Sequence, residues 1–578
     1  MRRDETTRRV DEIRTSRSEL ENHIIDEYSA GRISRREFVR RGSVVGMSIP
    51  LVSFLAAACG TGSKTSSGGG GGGAASGNAV EAGGKQVAVK QGGTLKLGMS
   101  PGPTTEIDPI KVADEGGLGV MSQSGEFLAW SDNKLHLDPR LAESWKPNAD
   151  GSVWTFKIRQ GVKFHDGTTM TAQDVASSIN ALSDPKNGSN ALSTFGGVLS
   201  KGSAKATDPS TVRFELDSPN GNFPYLLSSD NYNALIVPKD LSGSWEKSFP
   251  GTGPWKMEKY TPNSGISYVK NTEYWDKTRI PKLDRQQVKF YPKEQAQILG
   301  LQSGDVDVLV HFSPTGGKAL LNDPNITVIQ LRASVHREIH MRNDKKPFDD
   351  KRVRQAMALA VDRKALVSGL FAGKADVGDD SPFAPVFPST DKTVPQREQD
   401  LAKAKALMQQ AGVSNASATI DTWDGFELPD LAQLLQNYGQ QIGLKLTPNV
   451  TPAGTYYGDA VFGKSPWLDS VMGITDYGHR GVPNLFLNAQ LSSKGVWNAA
   501  HFKNPTYDGL VKDYVKSLDI QSQKTAAKKI QLLLLDETPN IYAYFYYFLT
   551  GTKKNVGNVE VTAMGHYDIT KAGFTTGS

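Results

Sequence analysis

The sequence predicts an α/β chain of 578 residues folded in at least two lobes. Three observations lead there. Short alternating apolar runs interchange with amphipathic helical stretches, which points to strand and helix layers packed on one another rather than an all-helical or all-β body. A globular texture starts near Gly92 and runs to the end, well beyond the ~250–300 residues over which a single core keeps growing. Gly, Pro, Asn and Asp turns break the runs at short intervals, the spacing expected of compact layers.

The first sixty residues read as an export address. Ser34-Arg35-Arg36-Glu37-Phe38-Val39 leads into an apolar run from Val44 to Ala58 that ends at Cys59-Gly60. That run is shorter than the ~20 apolar residues of a spanning helix and is interrupted by Gly46, Ser48, Pro50 and Ser53, so a transmembrane helix is disfavoured. The arginine pair Arg35-Arg36 resembles a twin-arginine signal, and Leu55-Ala56-Ala57-Ala58-Cys59 resembles a lipobox, with Ala56 where leucine is usual. The resemblance implies cleavage before Cys59, lipidation of its thiol, and a mature protein tethered at the extracytoplasmic face of a bacterial cell membrane. Cys59 is the sole cysteine, so the exported body is held by its core without a disulfide.

Residues 59–90 form the lipidated cysteine and a tether rich in Gly and Ser, with unbroken glycine from Gly68 to Gly73. About 30 such residues span roughly 30 Å as a flexible coil. Gly60-Thr61-Gly62-Ser63-Lys64-Thr65 lacks the glycine before lysine that a phosphate loop needs. Residues 1–58 carry 11 of the 66 Lys+Arg and 9 of the 61 Asp+Glu, leaving 55 against 52. That balance gives no electrostatic case for nucleic acid or for broad membrane adhesion.

In the globular part, Gly93-Thr94-Leu95-Lys96-Leu97-Gly98 alternates as a first strand and Trp154-Thr155-Phe156-Lys157-Ile158-Arg159 as another. His165-Asp166-Gly167 reads as a turn, with Asp174 in the first turn of the next helix. The spacing predicts helices over 349–370, over 398–411 with Gly412 as C-cap, and over 525–536. His336-Arg337-Glu338-Ile339-His340 is the nearest approach to a zinc helix. Its glutamate is out of register, however, and as a strand it would hold the two imidazoles about 13 Å apart, too far for one ion. No nucleophile elbow, zinc helix or phosphate loop is present, so no enzyme activity and no cofactor are expected.

Five motifs occur in order: Leu141-Ala142-Glu143-Ser144-Trp145 with the Trp154–Gly167 and Met170–Val175 segments; Gly251-Thr252-Gly253-Pro254-Trp255; Asn271-Thr272-Glu273-Tyr274-Trp275; Leu301–Asp307; and Pro347–Ala356. Over nearly all of residues 91–578 the chain resembles the family 5 extracellular solute-binding proteins of ABC importers, the peptide-, dipeptide- and nickel-binding receptors. The resemblance implies a two-lobed fold of the periplasmic-binding-protein type (type II, large class) with an extra inserted domain and a two-crossing hinge. Expected bounds are lobe I at 91–136, 241–330 and 546–578, the inserted domain at 137–240 and lobe III at 331–545. The expected partners are a di- or oligopeptide and the permease subunits, met as a monomer attached to the membrane through its anchor alone.

Within that resemblance, Asp476, ending the apolar run Val471–Thr475, matches the aspartate that holds a peptide's α-ammonium in the peptide-binding branch. Gly473 stands where that branch carries tryptophan, which implies a reshaped neighbouring pocket. A strand-ending turn residue is the alternative role for Asp476. Glu126 matches a glutamate at the cleft edge. His479 and Arg480 are candidates for a ligand carboxylate or a solvated pair. Trp423, Trp467 and Trp497 are candidate aromatic walls or core residues. The motifs fix the scaffold and not the solute, so a nickel chelate, oligosaccharide or opine, and a sensing or chaperone lipoprotein, stand as alternatives.

Overall fold

Leu95, Leu97 and Met99 turn inward along strand Thr94–Met99 while Lys96 faces solvent, the two-residue period of a half-buried strand. The computed structural model describes residues 79–576 apart from 101, 103–106, 113, 240–248, 414 and 415. Arg35, Arg36 and Cys59 lie outside the described residues.

Thr94–Met99 sits inside an eight-stranded sheet assembled from distant parts of the chain. It pairs in parallel with Arg285–Phe290 on one side and Val308–Phe312 on the other. Phe548–Lys553 follows, antiparallel to both Val308–Phe312 and Ile326–Leu331. Gly265–Lys270 and Trp255–Thr261 complete the far edge, and Ala79–Glu81, parallel to Ile326–Leu331, forms the other, so the end of the stretch expected as a tether over 59–90 is instead paired into the body through backbone hydrogen bonds.

A separate four-stranded antiparallel sheet is built from Ala142–Pro147, Val153–Ile158, Thr211–Glu215 and Ala204–Asp208. Trp154, Phe156 and Ile158 bury one face of Val153–Ile158. The turn that follows has Gly167 at φ 92°, which glycine adopts without Cβ strain. Helix Ala172–Ser183 then begins at a capping box in which Asp174 accepts from the Thr171 amide and hydroxyl, both at 2.7 Å.

The third sheet has six strands in the order Ala375–Val377, Asn540–Tyr546, His336–Met341, Met472–Tyr477, Ser417–Trp423, Lys445–Thr451. Helices Lys351–Ala360, Arg363–Phe371, Leu401–Gln410 and Leu428–Gln441 share one apolar core with it. Helices Pro505–Lys516 and Ile520–Glu537 pack on each other around Tyr507, Val511, Ile530 and Leu534. The chain passes from the eight-stranded to the six-stranded sheet between Leu331 and His336 and returns at Tyr547. This makes a two-lobed α/β body joined by two neighbouring crossings.

The single helix expected over 349–370 is two. Asp362 is non-helical and accepts from the Ala365 amide at 2.9 Å, so it starts a new helix. Arg363 reaches back to the Ala358 carbonyl at 3.0 Å, satisfying an end that helix Lys351–Ala360 leaves open. The expected 398–411 helix runs Leu401–Gln410, with Gly412 at φ 66° just past it. The 525–536 helix is longer, Ile520–Glu537, because Asp519 caps it at the Ser522 amide. Among the described residues, no helix is long and apolar enough to cross a membrane.

Candidate functional site

Met472–Tyr477 is buried along its length except at Asp476, which opens into a cavity of about 970 Å³ between the two larger sheets. One wall comes from the eight-stranded lobe through Glu115, Glu294, His311 and Phe548. The other comes from the six-stranded lobe through Arg337, Trp423, Phe426, Asp476 and Tyr546, with Arg480 beside it.

The Asp476 carboxylate is oriented by neutral donors. Trp423 Nε1 at 3.0 Å and the Tyr457 hydroxyl at 2.5 Å both donate to Oδ1. Oδ2 makes no hydrogen bond among the described residues. Burial, then the neighbouring Asp476 charge, holds the Tyr457 phenol far above its usual range, so it remains a donor at every working pH. An anion fixed in this way, with one oxygen left unbonded by the described residues beside an open cleft, suits a cation that brings its own donors.

Beside it, Arg337 is fully buried and forked onto Glu427, Nε to Oε1 at 2.7 Å and Nη2 to Oε2 at 3.0 Å. Its Nη1 donates to the Tyr546 hydroxyl at 3.0 Å, and its guanidinium lies 4.7 Å from the Tyr546 ring centre and 5.0 Å from that of Phe426. Against the desolvation that burial imposes, the Glu427 carboxylate raises the Arg337 pKa further. Arg337 is thus neutralised inside the wall.

On the opposite wall His311 stacks on Phe548 with ring centres 4.0 Å apart, and its Nδ1 lies 2.9 Å from Glu115 Oε1. Burial lowers its pKa, but the Glu115 charge and hydrogen bond outweigh that and the net direction is up.

The candidates from sequence divide. Asp476, Trp423 and Arg480 line the cleft. His479 does too, yet it cannot meet a carboxylate as a cation. Burial, then the Arg480 charge, pulls its pKa down to about 3, and its Nδ1 accepts from the Ser334 amide at 3.1 Å. Arg480 directs Nη1 to the His479 carbonyl at 2.7 Å.

Glu126 is not at the cleft edge. It is buried, taking Thr252 Oγ1 and Trp275 Nε1 on Oε2 at 2.8 Å each and the Tyr274 hydroxyl on Oε1 at 2.6 Å. Two of the sequence motifs, Gly251–Trp255 and Asn271–Trp275, therefore converge on this one carboxylate, whose pKa is raised by burial. Trp467 and Trp497 form a second layer behind the wall instead of lining it. Trp467 is 5.4 Å from the Tyr457 ring and 6.2 Å from Trp497, which is 6.0 Å from Tyr477.

Gly473 does not reshape a ligand pocket. Three residues from Asp476 on one strand, it faces the other side of the sheet, where a Cβ would clash with the ring edge of its cross-strand partner His340. His336 and His340 turn to separate carbonyls, Ser334 at 2.8 Å and Ser470 at 3.2 Å, and burial pulls both pKa values to about 4.

Sequence reading missed Arg337, Glu427, Tyr457 and His311. The titratable triplet His336-Arg337-Glu338 at the start of a buried strand was the available signal for the first, because an arginine enters such a strand only when partnered.

Residues 136–481 match the family described as bacterial extracellular solute-binding proteins, family 5 Middle. Heme-binding protein A of Haemophilus influenzae is 27% identical over 476 residues, covering 77% of this chain and 84% of that protein. Di/tripeptide-binding protein 2 of Pseudomonas aeruginosa is 24% identical over 477 residues, covering 77% and 88%. The periplasmic binding protein DppA of Helicobacter pylori, solved with the peptide STSA, superposes with a TM-score of 0.69 at 22% identity, over 84% of this chain and 99% of that one. A family match over more than half the chain, on a two-lobed body with a cleft between its sheets, makes this protein a member of the bacterial extracellular solute-binding proteins of family 5, a binding protein and not an enzyme.

Proposed function

We propose that the protein captures a di- or oligopeptide between its lobes and delivers it to the permease of an ABC importer, and that Asp476 receives the peptide's α-ammonium. The observation that carries this reading is the half-satisfied Asp476 carboxylate in the cleft wall, with Oδ1 committed to Trp423 and Tyr457 and Oδ2 free. A peptide offers backbone groups and two terminal charges, and these gain binding strength when a closing cleft excludes water. The relative named for di- and tripeptides supports the peptide class. Cys59, lipidated after twin-arginine export through Arg35 and Arg36, would hold the receptor at the extracytoplasmic face of the cell membrane as a monomer.

The test is calorimetry of a free and an N-acetylated peptide on the native protein and on Asp476→Ala. Truncating one member of a desolvated ion pair costs about 3–5 kcal/mol, roughly two to four decades in affinity. The expected result is that blocking the amine and removing the carboxylate each produce that loss and together produce little more. Equal binding of free and acetylated peptide by the native protein would leave Asp476 a structural residue. Recovery of one metal chelate, oligosaccharide or opine with the purified protein would replace the peptide.

A further inference from the structure

Behind Arg480 and Gly481 lies a second cavity, of about 270 Å³. One side is formed by residues 192–198 and 220–231, which belong with the four-stranded sheet. The other is formed by residues 480–496, which follow strand Met472–Tyr477. The two sides are stitched together near the cavity by Asn222 Nδ2 donating to Asn484 Oδ1 at 2.9 Å and by the Gly221 amide donating to the Val515 carbonyl at 2.8 Å. Much of the lining is hydrocarbon, with Leu192, Val198, Leu226, Val482, Leu485 and Val496.

One carboxylate lies in this lining with no ion-pair partner among the described residues. Asp230 is 9% exposed, and its Oδ2 is buried with no hydrogen-bond partner among the described residues. Ser131 Oγ, a nearby donor, lies close enough to lower the carboxyl's pKa without reaching hydrogen-bond geometry among the described residues. Gly481 allows the carboxylate to press against the backbone, since a Cβ there would occupy its place. The Arg480 guanidinium attracts Asp230 but forms no ion pair with it and donates to the His479 carbonyl, while Asp132 adds negative potential. Burial pushes the Asp230 carboxyl up to about 7 against the pull of Ser131 and Arg480, so the fold compensates its charge only in part.

We propose that this cavity is a second binding site, which takes a small organic ammonium whose charge meets Asp230 and whose hydrocarbon body fills the apolar remainder. A bare metal ion would find a single carboxylate with the Arg480 guanidinium beside it, and among the described residues no three His, Cys, Asp or Glu side chains gather to hold a metal. A neutral apolar molecule would fill the space and leave the buried charge unmatched. Lys494, exposed at the rim, stands in water, where its repulsion is screened. The volume, slightly below the range of pockets for drug-sized ligands, suits an amine of a few carbons. Because the walls come from two sheets and Arg480 lines both cavities, an occupant would bridge the inserted sheet and the six-stranded lobe. The site rests on Asp230 and is independent of any peptide reading at Asp476.

The probe is n-butylammonium chloride, titrated calorimetrically into the purified protein, with n-butanol as the uncharged body of the same shape. The native protein and Asp476→Ala should bind n-butylammonium alike, and Asp230→Asn should bind it about tenfold or more weakly, the effect of one partly desolvated charge pair. n-Butanol should bind the native protein about tenfold or more weakly than the amine does, and should not distinguish it from Asp230→Asn. The proposal is overturned if n-butylammonium shows no saturable binding to the native protein, if Asp230→Asn binds it equally, or if Asp476→Ala loses it, which would place the amine in the main cleft. Should Asp230→Asn fail to fold, the native protein still decides, since equal binding of amine and alcohol overturns a charge-recognising site.

Discussion

Arg337 and Asp476 stand directly opposite each other on adjacent antiparallel strands, yet neither completes the other's hydrogen bonds. The guanidinium turns to Glu427 and Tyr546, the carboxylate to Trp423 and Tyr457. Glu427 thereby neutralises the arginine, and Asp476 keeps its negative charge for the cleft. A bidentate Arg337–Asp476 pair would have forced an incoming ammonium to compete with a guanidinium for the same oxygens.

Arg337→Met should therefore destabilise the fold as well as alter the cleft. It leaves Glu427 buried and unpaired, a loss of about 3–5 kcal/mol, whereas Arg337→Met with Glu427→Leu should recover most of it. Urea unfolding midpoints of the native, single and double variants decide this. A single variant as stable as the native protein would remove the neutralising role from the Arg337–Glu427 pair.

Gly473→Ala should cost stability without changing which ligands bind. The added methyl meets the His340 ring, and overpacking of a closed core costs roughly 1–3 kcal/mol. A lower melting temperature with an unaltered ligand profile is expected. An altered profile at native stability would return Gly473 to the pocket.

His311 gives the protein a pH-dependent component of stability. Its folded pKa is raised above the unfolded value by Glu115. The contribution is therefore complete below about pH 6.5 and is lost as pH rises through the higher folded value. Thermal melts at pH 5.5 and 8.5 should show that the native protein loses, on going to the higher pH, a margin that His311→Gln never had. Parallel profiles for the two proteins would contradict the Glu115 pairing.

Export and anchoring are tested on the leader. Lys at both Arg35 and Arg36 should leave precursor in the cytoplasm. Cys59→Ala should release mature protein to the medium, since stable attachment needs more than one acyl chain and these depend on the cysteine. Cell fractionation reads both, and membrane-bound Cys59→Ala protein would exclude the anchor.

Much of the scaffold was legible because its causes are local. The alternation at Leu95, Leu97 and Met99 and at Trp154, Phe156 and Ile158 follows from a strand's period of two. The turn at Gly167 and the end of a helix at Gly412 follow from backbone conformations that glycine tolerates. The broken helix at Asp362 was misread because its apolar spacing continues across a residue whose side chain caps a new start better than it continues the old one.

The sequence by itself determined which faces are apolar, where turns fall, and that Asp476 ends a buried strand as a lone acid. Tertiary structure alone decided what each face meets. It joined Thr94–Met99 to strands almost two hundred and more residues away, gathered Thr252, Tyr274 and Trp275 around Glu126, and set Tyr457 against Asp476. It also separated Gly473 from the site by a strand's thickness and left Asp230 beside a cavity with no ion-pair partner among the described residues. The physical reason is range: dihedral preference and hydrophobic period act over a few residues, whereas hydrogen-bond partners, desolvation and the field at a charge are set by whatever the folded chain brings within a few ångströms.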